Sequence, residues 1–169
     1  MAFKYTSDTF QISANTTESA VNTLTTTTIN MNLDSLSREI LVIQYVDMDF
    51  PTPPDLVAGV TSTFRASLNN ADVGAVGLSD NQAIAVSAQN IIGAAGLTSA
   101  VSFQNTEPAN GMQAADIPLF VSATDDLFLS VKGTGNIAAL AQIQCRIFAR
   151  RARADADTYA AILTSQFNS

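Results

Sequence analysis

Along most of this chain apolar and polar residues alternate with a period of two. Ile29, Met31 and Leu33 alternate with Asn30 and Asn32, the pattern of a strand with one face buried and the other wet. In residues 60–68, Val60, Ser62, Phe64, Ala66 and Leu68 point one way, and Thr61, Thr63, Arg65 and Ser67 the other, before a turn at Asn69-Asn70. Leu97, Ser99, Val101 and Phe103 repeat the alternation. The runs IPLFVSA (117–123) and LFLSVKG (127–133) are two further short strands, parted by Thr124-Asp125-Asp126. In the long run 138–150, Leu140, Gln142, Gln144 and Arg146 share a face with Phe148 and Arg150. Ala141, Ile143, Cys145 and Ile147 form the other face, which is assigned to the core.

One segment breaks the alternation by being apolar on both faces. EILVIQYVDMDF (39–50) follows a turn at Asp34–Ser37 and is stopped by Pro51, Pro53 and Pro54, which cannot donate to a ladder. It reads as a central strand covered on both sides. Two segments read as helices. Ser79-Asp80-Asn81-Gln82 has the form of a capping box, and Ile84, Ala88, Ile91, Ile92 and Ala95 follow at helical spacing, with Gly93 or Gly96 to close. At the C-terminus Asp155 is a cap, Asp157 suits the first turn, and Tyr159, Ile162, Leu163 and Phe167 lie along one face. Residues 1–24, rich in Thr, Ser and Asn, read as an extended arm with one short strand. The expected architecture is all-β: a β-sandwich of about eight strands over 25–153, with one inserted helix and a short C-terminal helix or extension over 154–169.

Composition narrows the function. Only 14% of the 169 residues are charged, against about 25% in globular proteins. A surface so rich in neutral polar groups can be buried against neighbours without stranding ions. The net charge of −7 is uneven. Residues 1–144 carry thirteen acids against Lys4, Arg38, Arg65 and Lys132, while Arg146, Arg150, Arg151 and Arg153 crowd the end of the last strand. An acidic body argues against direct nucleic-acid contact. The arginines are the candidate interface residues, suited to an acidic patch on another subunit or to another anion. The chain has no run long enough for a transmembrane segment.

Catalytic and cofactor chemistry finds little to use. There is no His and no Trp, and the single cysteine, Cys145, falls on the core face of its strand. Lack of His removes most acid–base and triad schemes, and zinc has no ligand set. Asp47 and Asp49 share a strand face, and a calcium ion between them and a loop oxygen such as that of Asp55 is conceivable, although the spacing matches no calcium-loop motif. No phosphate-binding glycine loop is present. The expectation is a protein without cofactors that is not an enzyme.

The passage PLFVSATDDLFLSVKGTGN, followed by AQIQCRIFARR, resembles the closing strands of small single-jelly-roll viral capsid proteins. So does the order of a polar arm, about eight strands, one helix inserted midway, and a long last strand before a C-terminal extension. The resemblance implies a jelly-roll-like sandwich and a self-assembling capsid subunit in the virion, a homo-oligomer that also contacts other virion proteins. The alternative is a decoration protein, or a receptor- or carbohydrate-binding sandwich. An arm that touches a genome is usually basic, whereas residues 1–28 hold only Lys4 against Asp8 and Glu18.

Overall fold

The computed structural model describes residues 3–93, 101–106 and 118–167. These residues form ten strands and one helix: β1 (Phe3–Tyr5), β2 (Phe10–Thr17), β3 (Thr25–Asn30), β4 (Glu39–Asp49), β5 (Thr61–Asn69), β6 (Ala83–Gly93), β7 (Val101–Thr106), β8 (Phe120–Ser122), β9 (Asp126–Thr134), β10 (Gln142–Ala154) and α1 (Ala156–Phe167). The strands make two five-stranded antiparallel sheets. In one, β10 lies between β4 and the β1–β2 edge, and β8 follows β4. The other runs β3-β9-β5-β6-β7. The protein is therefore β-sandwich-like, mostly strand, with a short C-terminal helix.

The alternation seen in the sequence becomes the interlayer core. Phe64, Ala66 and Leu68 of β5 and Leu127, Leu129 and Val131 of β9 meet Ile143, Cys145, Ile147 and Ala149 of β10. Phe64 is fully buried, so its truncation to alanine costs about 3–5 kcal/mol. The run apolar on both faces is β4, and a bulge explains it. Tyr45 stands opposite Phe148 but Ile43 opposite Ala149, leaving Gln44 as an extra residue. The extra residue exchanges the two faces of the strand. Leu41 and Ile43 point into the sandwich before it, and Val46 and Met48 after it. Ile40 and Val42 then look outward. They are covered by Tyr159, Ile162 and Leu163 of α1, with Ala123, Ala152 and Ala154.

The C-terminal helix forms where the cap and spacing place it. Asp155 Oδ1 accepts from the Thr158 backbone N–H at 2.8 Å, the third helical position, as an N-cap does. The side chain of Phe167 lies outside the described residues. The inserted helix expected from residue 79 is a correction. Residues 83–93 are the strand β6, paired with β5 from Ala83 opposite Asn69 to Ile92 opposite Thr61. The residues of the supposed capping box form a turn in which Asp80 Oδ1 accepts from the Gln82 N–H and Asp80 C=O from the Ala83 N–H. Ile84, Val86, Ile91 and Ile92 are β-branched, and Ala85, Ser87 and Ala88 between them fit either period. The open backbone groups of β5 decide the matter. Gly93, an expected closing residue, has another use: a Cβ there would stand 2.0 Å from the Val57 carbonyl oxygen. Ala95 and Gly96 lie outside the described residues.

The N-terminal residues expected as an arm are part of a sheet. β2 pairs with β10 from Thr17 opposite Gln142 to Phe10 opposite Ala149, and β1 continues the same edge to Phe3 opposite Ala154. The final strand's long period-two run supplied the edge they needed. The strand expected over 97–103 is described only from Val101, and the loop after it lies outside the described residues.

Candidate functional site

The four arginines of β10 do not form one patch. Alternation sends Arg146 and Arg150 to the outer face of the sheet and Arg151 and Arg153 to the opposite one. Arg151 is occupied within the chain. Its guanidinium meets Glu39 Oε2 at 2.7 Å, and it donates to the carbonyls of Met31 at 2.8 Å and Asn32 at 3.2 Å. It clasps the β3–β4 connection to the last strand. Arg150 is occupied too. Its guanidinium carbon lies 3.8 Å from the centre of the Tyr5 ring, and Nε donates to the Ser7 carbonyl at 3.3 Å. Cation–π stacking of this kind helps hold β1 on β10. Arg146 and Arg153 are exposed. They stand seven residues apart, roughly 23 Å along a strand, too far to grip one small anion together.

Arg146 instead belongs to a polar groove on the outer face, with a volume of about 460 Å³. The register builds it as two rows of three. Arg146 lies between Ser13 of β2 and Asp47 of β4, and Gln144 between Asn15 and Asp49. Short polar side chains on β2 and two carboxylates on β4 leave the longer Gln144 and Arg146 standing between them. Beyond the Arg146 row the face turns aromatic, with Tyr45 and Phe148 ring centres 5.6 Å apart. The groove is an open array of hydrogen-bond donors and acceptors, suited to a neutral polar ligand or to a loop of another protein.

Cys145 also borders the groove but is buried. Burial, with the negative charge of Asp47 nearby, pushes its thiol up to about 12. It stays protonated at neutral pH, and a thiol is a poor nucleophile. The calcium arrangement weighed for Asp47, Asp49 and Asp55 is not assembled. Asp55 Oδ2 accepts from the backbone N–H groups of Ile137, Ala138 and Ala139 at 2.7–2.8 Å. These bonds, that from Ala139 most of all, hold its carboxyl below the usual carboxylate range. Among the described residues no group of three or more His, Cys, Asp or Glu side chains is placed to hold a metal ion, and no helix is long and apolar enough to cross a membrane.

Sequence reasoning missed the residues that lock the sandwich ends. Glu18, only 3% exposed, accepts from the backbone N–H groups of Gly133 and Ala141, tying the end of β2 to β9 and to the β9–β10 connection. Asn136 accepts from the Asp55 N–H and donates to the Thr63 carbonyl, and Asn22 bonds its backbone. An acid and two asparagines in polar loops carry no spacing signal. The loops they fix display apolar side chains to solvent, among them Ile137 at 74% exposure and Leu56 at 61%. Leu36, at 95%, does the same in the β3–β4 connection. A comparison with protein-family models and with curated proteins finds no match to this chain.

Proposed function

We propose that this chain is a structural, self-assembling virion protein: a single-jelly-roll capsid subunit, located in the virion, that contacts copies of itself and other virion proteins and has no catalytic role. One observation carries the reading. The order β2-β10-β4-β8 in one sheet faces β3-β9-β5-β6 in the other. The chain therefore changes sheet at every connection from β2 to β5 and again at every one from β7 to β10. Repeated crossing of this kind is what two interlocked Greek keys require. The low charge and the exposed apolar side chains on the loops support burial of those loops against neighbours. Of the four arginines of β10, Arg146 and Arg153 are the exposed ones available for contacts with acidic surfaces of other subunits.

The test is the mass of the purified protein by light scattering across salt and protein concentration, followed by electron microscopy. Large discrete assemblies are the expected result. A persistent monomer of 17.8 kDa at every concentration overturns self-assembly. The polar groove favours a second reading, a decoration or receptor- or carbohydrate-binding module. Saccharide binding that is lost in Asp47→Ala would mark that role.

A further inference from the structure

The sandwich treats its edge strands unequally. An edge strand presents a row of unpaired backbone donors and acceptors, and proteins guard it with charge, proline, bulges, shortness or a cover. The edge strand β8 is three residues long and is covered. The Gln166 side chain of α1 accepts from the Ala123 N–H at 3.2 Å and donates to the Val121 carbonyl at 2.9 Å, taking the place of the next strand. On the other side of the sandwich, and among the described residues, β3 has none of these guards; β7, the far edge of its sheet, is equally free of charge and proline, but the segments on both sides of it lie outside the described residues. Its sequence, TTTTIN, holds no charge and no proline. Its register with β9 runs without a bulge from Thr25 to Asn30. Thr27 and Thr28 at its centre are exposed. Among the described residues no other strand pairs with its outer edge. The neighbouring edge of the facing sheet, β2, is also free of charge and proline.

We propose that β3 is the edge through which a second copy of this chain docks. The two β3 strands pair antiparallel about a twofold axis perpendicular to the sheet, so that two five-stranded sheets become one of ten strands. This rests on the self-assembly reading and names the contact. The occupant follows from charge and symmetry. Each copy carries −7, so two copies repel over most of their surfaces, and least where neither bears a charge. A twofold axis sets the Thr27–Thr28 centre of one strand against the same residues of the other. Cross-strand threonine pairs are favourable on a sheet, and a self-complementary contact closes as a dimer. The same operation brings the two uncharged β2 edges toward each other.

The test compares Thr27→Lys/Thr28→Lys with a control, Ser79→Lys/Asn81→Lys, in the exposed turn before β6. Both make the chain less negative by the same amount. General charge repulsion therefore predicts tighter association for both, whereas edge pairing predicts weaker association for the β3 variant alone. We expect the Kd of self-association, from sedimentation equilibrium, to rise at least tenfold in the β3 variant and not in the control. Thermal melting checks that both are folded. Hydrogen exchange of the unmodified protein gives a second readout: protection of the amides of residues 25–30 should rise with concentration. An unchanged Kd, or β3 protection independent of concentration, overturns the inference, and particles that still form leave the shell reading standing. A dimer with protected β3 that never grows larger supports the edge and sinks the shell. A monomer at all concentrations overturns both.

Discussion

Residues 79–93 and 155–167 carry the same local signals and fold differently. Each opens with an acid and a polar cluster and continues with apolar residues at helical spacing. The second is α1 and the first is β6 with its turn. The acids show the difference at short range. Asp155 reaches the amide three residues on, and Asp80 the amide two residues on, a helix cap in one case and an Asx turn in the other. The cause lies at longer range. β6 sits between β5 and β7 and satisfies backbone groups on both sides. Among the described residues no strand pairs with 156–167, which closes its own hydrogen bonds as a helix and covers Ile40 and Val42. A helical pattern rich in small residues is only a permission, and the open edge beside it decides.

The largest test of this contrast is a proline in each segment. Ala88→Pro in β6 removes a ladder bond from an interior strand and should cost about 3 kcal/mol or more, seen as a large fall in the denaturant midpoint or as failure to fold. Ala160→Pro should break α1 while the sandwich stays folded, because the helix lies outside the interlayer core. Cys145 reports the distinction independently. With its thiol held up to about 12 by burial, alkylation at neutral pH should be negligible in the intact protein and in Ala160→Pro, and rapid in Ala88→Pro. Rapid labelling of both would mean that α1 is integral to the sandwich. The folded thiol of Cys145 titrates above the unfolded one. Its contribution to stability is therefore intact below the ordinary thiol range and is lost as pH rises toward about 12.

A smaller effect comes from Ile162→Ala. The side chain is half-buried in the α1 cluster, so about 1–2 kcal/mol should be lost, measured by chemical denaturation. The smallest effects are those of the two acids. The Thr158 amide holds the Asp155 carboxyl below its usual 3.8. The cap's contribution is thus present above that pH and is lost as the pH falls through the lower folded value. The protection factors of the first-turn amides of α1, taken relative to the intrinsic exchange rate at each pH, should fall with acid in the unmodified protein. In Asp155→Ala they should already be low and insensitive to this titration. Asp80→Ala should leave α1 exchange unchanged.

Most strands were legible because burial on one face of a sheet writes itself as period two. The inward row Phe64, Ala66, Leu68 and the row Ile143, Cys145, Ile147 are where the alternation puts them. The double-faced apolar run was legible as a strand covered on both sides, but not the bulge at Gln44, which leaves no mark in composition. The candidate site was legible as a count and not as a place. Four arginines in eight positions are visible in the chain. That Arg151 is spent on Glu39 and Arg150 on Tyr5 depends on partners more than a hundred residues away. The groove of Ser13, Asn15, Asp47, Asp49, Gln144 and Arg146 likewise exists only through the register of three strands.

By itself the sequence determined a β-rich chain, its core rows, its low charge and its terminal helix, because each follows from residue type and local spacing. The tertiary structure alone decided that residues 83–93 are a strand, that residues 3–17 join a sheet, and which strands of the described residues stand at sheet edges. Those outcomes turn on which backbone groups remain unpaired after every other strand has found its neighbour, and no single segment carries that information.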